Sequence, residues 1–101
     1  MDTSTLEVAN NPSKGRFEVK LDDEKFGIIN YRKEGNVYIL VHTEVPPEYG
    51  GQGVAQKLIH DALELVKSED AKIIPLCPFV RKYLLRHGEY ASLVIEMPEE
   101  D

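Results

Sequence analysis

Alternation sets in at Arg16. Phe17, Val19 and Leu21 fall on one side of an extended chain and Arg16, Glu18 and Lys20 on the other, the pattern of a half-buried strand. The residues before it are polar and broken by Asn10-Asn11-Pro12 and Gly15. They predict a flexible N-terminal tail over 1–15, carrying at most a short strand at Leu6-Val8. Asp22-Asp23-Glu24 reads as a charged turn, Lys25 to Lys33 as a second strand, and Glu34-Gly35-Asn36 as a tight hairpin connection. Val37 to Val45 is a third strand, apolar on both faces at its start, which suits a central position. Consecutive strands on short turns make an antiparallel meander. Pro46-Pro47 ends it, because neither nitrogen can donate a hydrogen bond.

The period then changes. Val54, Ala55, Leu58, Ile59, Ala62, Leu63 and Val66 recur at helical steps, with Gln56, Lys57, His60, Asp61, Glu64 and Lys67 between them. This predicts a helix of about 15 residues, roughly 22 Å long, lying on the sheet. Lys72 to Cys77 follows as a strand, and Pro75 within it marks where it parts from a neighbour. Phe79, Val80, Tyr83 and Leu84 predict a short second helix closed by Arg86, His87 and Gly88. Ser92 to Glu96 is read as a last short strand. The resulting order, βββ-α-β-α-β, describes an α+β fold, a mixed α/β sandwich with one folded domain over 16–97 and an acidic tail over 98–101.

Composition narrows the partners. The chain has 101 residues, with twelve Lys+Arg against eighteen Asp+Glu and a net charge of −6. Such a balance argues against nucleic acid, whose phosphates demand clustered positive charge, and is compatible with a cationic substrate. Cys77 is the sole cysteine, so an internal disulfide and a four-cysteine zinc site are both excluded. The opening MDTSTLEVANNPSKG lacks an apolar signal region, and the longest apolar run, Val37 to Val41, is too short to span a bilayer. The expectation is a cytoplasmic protein, monomeric or weakly dimeric, with no membrane partner and no metal.

Tyr49-Gly50-Gly51-Gln52-Gly53-Val54-Ala55 carries the most chemistry. Its glycines free the backbone and clear space beside it. The first amides of the helix that follows have no intrahelical acceptor and lie at the positive end of the helix dipole, an arrangement suited to a pyrophosphate. A Walker loop is excluded because Gln56, not Gly, precedes Lys57 and no Ser or Thr follows it. The dinucleotide fingerprint fails as well, since Gln56 stands where its last small residue belongs. A purely architectural role for the glycines, as a turn allowing close helix–sheet packing, is the competing reading.

VHTEVPPEYGGQGVAQKLIHDAL followed by KIIPLCPFVRKYL closely resembles the short single-domain branch of the GNAT superfamily, the acetyl-CoA-dependent N-acetyltransferases. The likeness extends from the second strand to Tyr90. In that superfamily a Q/R-x-x-G-x-G/A motif sets backbone amides on the pyrophosphate of coenzyme A. Gly53 and Ala55 match its last two fixed positions, while Gly50 stands where Arg or Gln is usual. The resemblance implies acetyl-CoA or CoA as co-substrate, held by Val45, Gly50, Gly51, Gln52, Gly53, Val54, Ala55 and Cys77. It also gives Pro75 a role, because the strands flanking the loop and helix splay there to admit the pantetheine arm. The implied activity is acetyl transfer to an amine of a small molecule or an exposed lysine. The alternative is a non-catalytic CoA-binding or sensing module. Longer GNAT enzymes carry helices between their first strands that shape the acceptor site, and here only the turn from Leu21 to Lys25 occupies that place.

Acetyl transfer needs a neutral amine. A lysine-like amine of pKa about 10.4 is unprotonated about once in 2,500 molecules at pH 7, a handicap of roughly 4.6 kcal/mol. A base must offset part of it, and His42 and Glu44, next to the loop, are the candidates. Two residues apart, they share a face of a regular strand. Each also has a plain structural reading, as a hydrogen-bonded histidine and a solvated strand end. Cys77 closes the splayed strand at the start of a helix, where a thiol pKa falls. Pocket lining, inert core and a covalent acyl carrier are its three readings, in that order. Arg81 is expected to face solvent and Tyr83 to be core, and the runs 22–24 and 99–101 read as ordinary solvated ends.

Overall fold

A computed structural model describes residues 2–98. The predicted acidic stretch Glu99-Glu100-Asp101 therefore lies outside the described residues. Strands β1 (Val8–Asn11), β2 (Arg16–Lys20), β3 (Phe26–Glu34), β4 (Val37–Glu44) and β5 (Lys72–Pro75) form one sheet in chain order. The first four are antiparallel and β5 lies parallel to β4, a connection that requires a crossover. Helix α1 (Val54–Ser68) makes that crossover, and helix α2 (Pro78–Arg86) follows β5. The fold is α+β, a mixed five-stranded sheet with helices packed on it, as the element pattern predicts.

The alternating positions fill one face. Phe17, Val19, Ile29 and Ile73 are completely buried there with Leu58, Leu63 and Val66 from α1. Val80, Tyr83 and Leu84 bring α2 into the same core. Full burial of a Leu or Ile contributes about 1.5–3 kcal/mol, so this interdigitated layer holds α1 on the sheet. Gly27 lies under the first turns of α1. A Cβ there would meet Val54 Cγ1 at an ordinary 3.5 Å but Val19 Cγ1, its cross-strand partner, at 3.1 Å, so glycine relieves crowding within the β2–β3 pair.

Three local expectations are revised. A strand does occur in the N-terminal segment, but at Val8–Asn11 rather than Leu6-Val8, after a short 3₁₀ turn at Thr3–Thr5. It is fastened to the rest through Asn10, which accepts a hydrogen bond from the Tyr31 hydroxyl (2.5 Å) and donates to the Tyr38 hydroxyl (3.2 Å). The last strand expected over Ser92 to Glu96 does not form. The chain runs instead through a 3₁₀ segment, Gly88–Leu93, and meets β5 at an isolated bridge between Ile73 and Val94 and at a bond from Lys72 Nζ to the Ser92 carbonyl (3.1 Å). Burial of Tyr90 and Leu93 and the bond from the Tyr90 hydroxyl to Glu64 (2.6 Å) hold that segment as a turn. Arg81 does not simply face solvent: its guanidinium donates to the carbonyl of Leu76 at 2.6 Å.

Candidate functional site

Pro75 is the hinge of the site. The β4–β5 ladder ends at the pair Leu40 and Pro75, and the amides of Leu76 and Cys77 both turn to the Leu40 carbonyl (2.9 and 3.0 Å). Beyond that point β4 continues to Glu44 without β5 beside it. The strands part where the proline indicated.

A bulge in β4 decides what lines the opening. Asn30 pairs with His42 but Tyr31 pairs with Leu40, so Val41 is an extra residue with no partner. Tyr38 and Leu40 face the core, and after the bulge the inward position passes to Thr43, opposite the buried Ile29. His42 and Glu44 therefore share the opposite, outer face. Their side chains are 60% and 67% exposed, with His42 Nε2 3.6 Å from Glu44 Oε2.

Thr43 Oγ1 lies 3.2 Å from Cys77 Sγ. Cys77 is 3% exposed, caps the start of α2, and sits behind Thr43 rather than on the wall of the opening. Thr43 is a site residue that regular alternation hides, because without a bulge position 43 would point outward.

The glycine turn closes the other side. Pro47–Tyr49 forms a 3₁₀ turn, and Gly50 gives its amide to the Pro47 carbonyl at 3.0 Å. That amide is spent, which reduces the part Gly50 can take in holding an anion. Gly51 (φ +74°) and Gly53 (φ +84°) then adopt the left-handed region, with Gly53 as the N-cap of α1 and no side chain capping it. The first tie back to the turn is Lys57 N to Gly53 O, at 3.1 Å. Among the described residues, no protein acceptor engages the amides from Gly51 to Gln56. Space beside them is open, since a Cβ on Gly51 would meet nothing within 4 Å.

The charged turn expected to be merely solvated braces this loop. Asp22 accepts hydrogen bonds from the Glu24 amide (2.9 Å) and the Tyr49 hydroxyl (3.1 Å), and Lys25 pairs with Glu48. The Glu24 amide and the Tyr49 hydroxyl hold the Asp22 carboxyl below its usual range against slight desolvation. Gln52 ties its own side chain to the Glu48 carbonyl at 3.2 Å.

Together these pieces enclose a cleft of about 640 Å³. One wall is Thr43, His42, Glu44 and Val45 of β4 and its end, the other is Gly51, Gly53 and Ala55, and Phe79 from α2 bounds a third side. Cys77 and the Gln52 side chain stand outside that lining. Among the described residues no group of His, Cys, Asp and Glu is arranged to hold a metal, and no helix is long and apolar enough to cross a membrane.

Comparison with known proteins gives the class to which this strand-loop-helix unit over a splayed sheet belongs. The family profile described as GCN5-related N-acetyl-transferase matches residues 16–93, and the chain belongs to that family. Protein NATD1 of Gallus gallus is 32% identical over 81 residues, 78% of this chain and 74% of the relative. Protein NATD1 of Homo sapiens is likewise 32% identical, over 78% of this chain and 72% of its own length. The solution structure of a GCN5-like protein from Staphylococcus aureus is 28% identical, superposes with a TM-score of 0.68, and covers 96% of this chain and 95% of that one. Acetyl-CoA binding is implied by this family.

Proposed function

We propose that this chain is an acetyl-CoA-dependent N-acetyltransferase acting on an amine of a small molecule or an exposed lysine. The observation that carries the reading is the row of unpaired amides from Gly51 to Gln56 at the α1 N-terminus, facing a cleft that ends at the β4–β5 split. Peptide donors and the helix dipole together favour a diphosphate there. Val45 and Phe79 offer apolar surface for the pantetheine arm between the loop and the split.

Acetyl-CoA supplies an acyl group activated as a thioester. The chain's own residues then hold it and prepare the amine. Thr43, backed by Cys77, presents a hydroxyl on the inner side of the unpaired β4 edge. On the outer side His42 and Glu44 stand where an amine would approach. His42 would take the proton that the amine loses as its nitrogen bonds to the acyl carbon, the thioester C–S bond would break, and CoA would leave as its thiol with a proton returned to the sulfur. Glu44 orients the imidazole and favours a cationic acceptor. Cys77, buried and hydrogen-bonded to Thr43, positions that hydroxyl and through it the acyl end of the cleft.

The chain passes from β2 to β3 through residues 21–25 alone, so the acceptor side stays open. That openness, with Gly50 in place of a charged residue, also fits a CoA-sensing module without turnover. Thiol release from acetyl-CoA with a panel of amines separates the two. Turnover with at least one cationic amine, lost in His42→Ala and Glu44→Ala, supports the transferase. Tight binding with no thiol released by any amine leaves the sensor.

A further inference from the structure

The sheet is covered by helices on one side. Both α1 and α2 bury their apolar stripes in a single cluster with the inward strand positions Phe17, Val19, Ile29, Leu40 and Ile73. The outward positions of β3, β4 and β5 are apolar as well. Ile39 stands between Arg32 on β3 and Ile74 on β5. Val94 turns into the core beside Ile73, so Ile95, whose amide bonds to the Ile73 carbonyl (3.1 Å), continues the outward row past β5. Ile74 is half-buried, while Leu76 and Ile95 are 38% and 54% exposed. Ile39 is buried yet stands outside the helix-covered cluster. Among the described residues, no α-helix lies over this face.

The same face carries His42 and Glu44, so it is continuous with the candidate site. Its charges are spaced along β3, where Ile28 lies opposite Glu44 and Arg32 opposite Ile39. Four residues of strand put those two positions about 13 Å apart. Arg16, on the neighbouring strand, is already paired with Glu18 at 2.9 Å. Arg32 is exposed and forms no ion pair among the described residues. The face therefore offers a carboxylate at the site, an unneutralised cation farther along, and an apolar row running from Ile39 to Ile95.

We propose that this face docks the acceptor, and that the acceptor is a protein presenting its lysine on an amphipathic helix with an acidic residue about two turns away. The inference rests on the transferase reading above and narrows its acceptor. A pleated face has no walls to enclose a small amine, and small ligands are held in concave sites. An apolar sheet face is instead buried by a second layer, and the stripe of an amphipathic helix supplies one. Helical residues seven apart share a side and stand about 10.5 Å apart along the axis. That spacing lets a lysine reach Glu44 and His42 while a carboxylate meets Arg32. The chemical step is the one given above, with the lysine Nζ as the attacking nitrogen.

Thiol release at saturating acetyl-CoA tests it with three acceptors. These are an amphipathic helical peptide with one lysine and a glutamate seven residues to either side, a scrambled peptide of the same composition, and N-acetyl-lysine amide. The helical peptide should show a KM about tenfold below that of the other two, the scale of one or two buried aliphatic contacts. Ile74→Asn should remove most of that advantage. Arg32→Glu should raise the KM for the helical peptide about threefold to fivefold, and a peptide with arginines in place of its glutamates should restore it. Both variants should turn over N-acetyl-lysine amide as the wild type does, which checks their folding. Equal KM for the helical and scrambled peptides, or an Arg32→Glu protein indifferent to peptide charge, overturns the docking face and leaves the transferase standing. No thiol release with any of the three overturns the transferase reading and this inference with it.

Discussion

Val41, slipped into β4 without a partner, turns Thr43 inward and leaves His42 and Glu44 together on the outer face. The hydroxyl and the imidazole thereby flank, from opposite sides, the stretch of β4 that is paired to β3 but has no β5 beside it. If Thr43 and Cys77 act as a unit, Thr43→Val and Cys77→Ala should each lower kcat about tenfold with CoA affinity changed less than twofold. The double variant should lose little more than either alone. Unchanged turnover in Cys77→Ala would remove the thiol from the account. Asp61 offers a test of a different kind. Burial pushes its carboxyl up, but hydrogen bonds from His60 and Lys57 outweigh this and hold it below the ordinary value of 3.8. A depressed folded value means stability present above pH 4 and lost as pH falls through the lower folded pKa. Urea midpoints between pH 5 and pH 2 should therefore fall more steeply for the wild type than for Asp61→Asn. Parallel slopes would contradict that linkage.

Among the elements, the approach of α1 to the sheet governs where its N-terminal amides point. Gly27→Ala should cost about 1–3 kcal/mol, because the new methyl stands 3.1 Å from Val19 Cγ1 in a packed layer. Its effect on CoA binding should stay small, since the methyl meets Val54, at the head of the helix, at an ordinary contact distance of 3.5 Å. Gly53→Ala separates the two effects. Its Cβ has room, with Thr3 Cγ2 at 3.8 Å the nearest atom, but φ of +84° disfavours an L-residue by about 1–2 kcal/mol. The loop should relax out of shape and lose at least tenfold in CoA affinity, with a smaller drop in thermal midpoint than Gly27→Ala gives. A Gly53→Ala protein that binds normally would show that this conformation is not needed.

Much at this scale was legible in the sequence. Alternation from Arg16 and the three- and four-residue spacing from Val54 identify β2 and α1 almost to the residue, because both bury one face against a single core. Pro75 falls at the split, although its missing amide is turned to the open edge of the sheet, because the amides facing β4 are those of Lys72 and Leu76. The rest was hidden for definite reasons. A bulge leaves no mark in a run such as VYILV, so Thr43 went unseen beside the more conspicuous His42 and Glu44. Gly27 looks like any strand glycine until its register with Val19 is known. Asp22 and Arg81 gain their partners from distant loops and backbone carbonyls, which a local pattern of charge does not contain.

At the scale of the molecule, an acidic body carries a cleft bounded by backbone donors at one helix start and by Phe79 on the next helix. Both belong to the connections around β5, and the sheet serves to hold those connections apart. The acceptor side has no covering helix between β2 and β3, so a broad range of amines should reach His42, with KM varying more among them than kcat.

Nitrogen–proton correlation spectra recorded during an acetyl-CoA titration address the central claim most directly. The amides of Gly51, Gly53, Val54 and Ala55 should shift together and saturate at one ligand per chain, while those of the bonded β1–β2 pair stay in place. Saturable binding with those four resonances unmoved would contradict it.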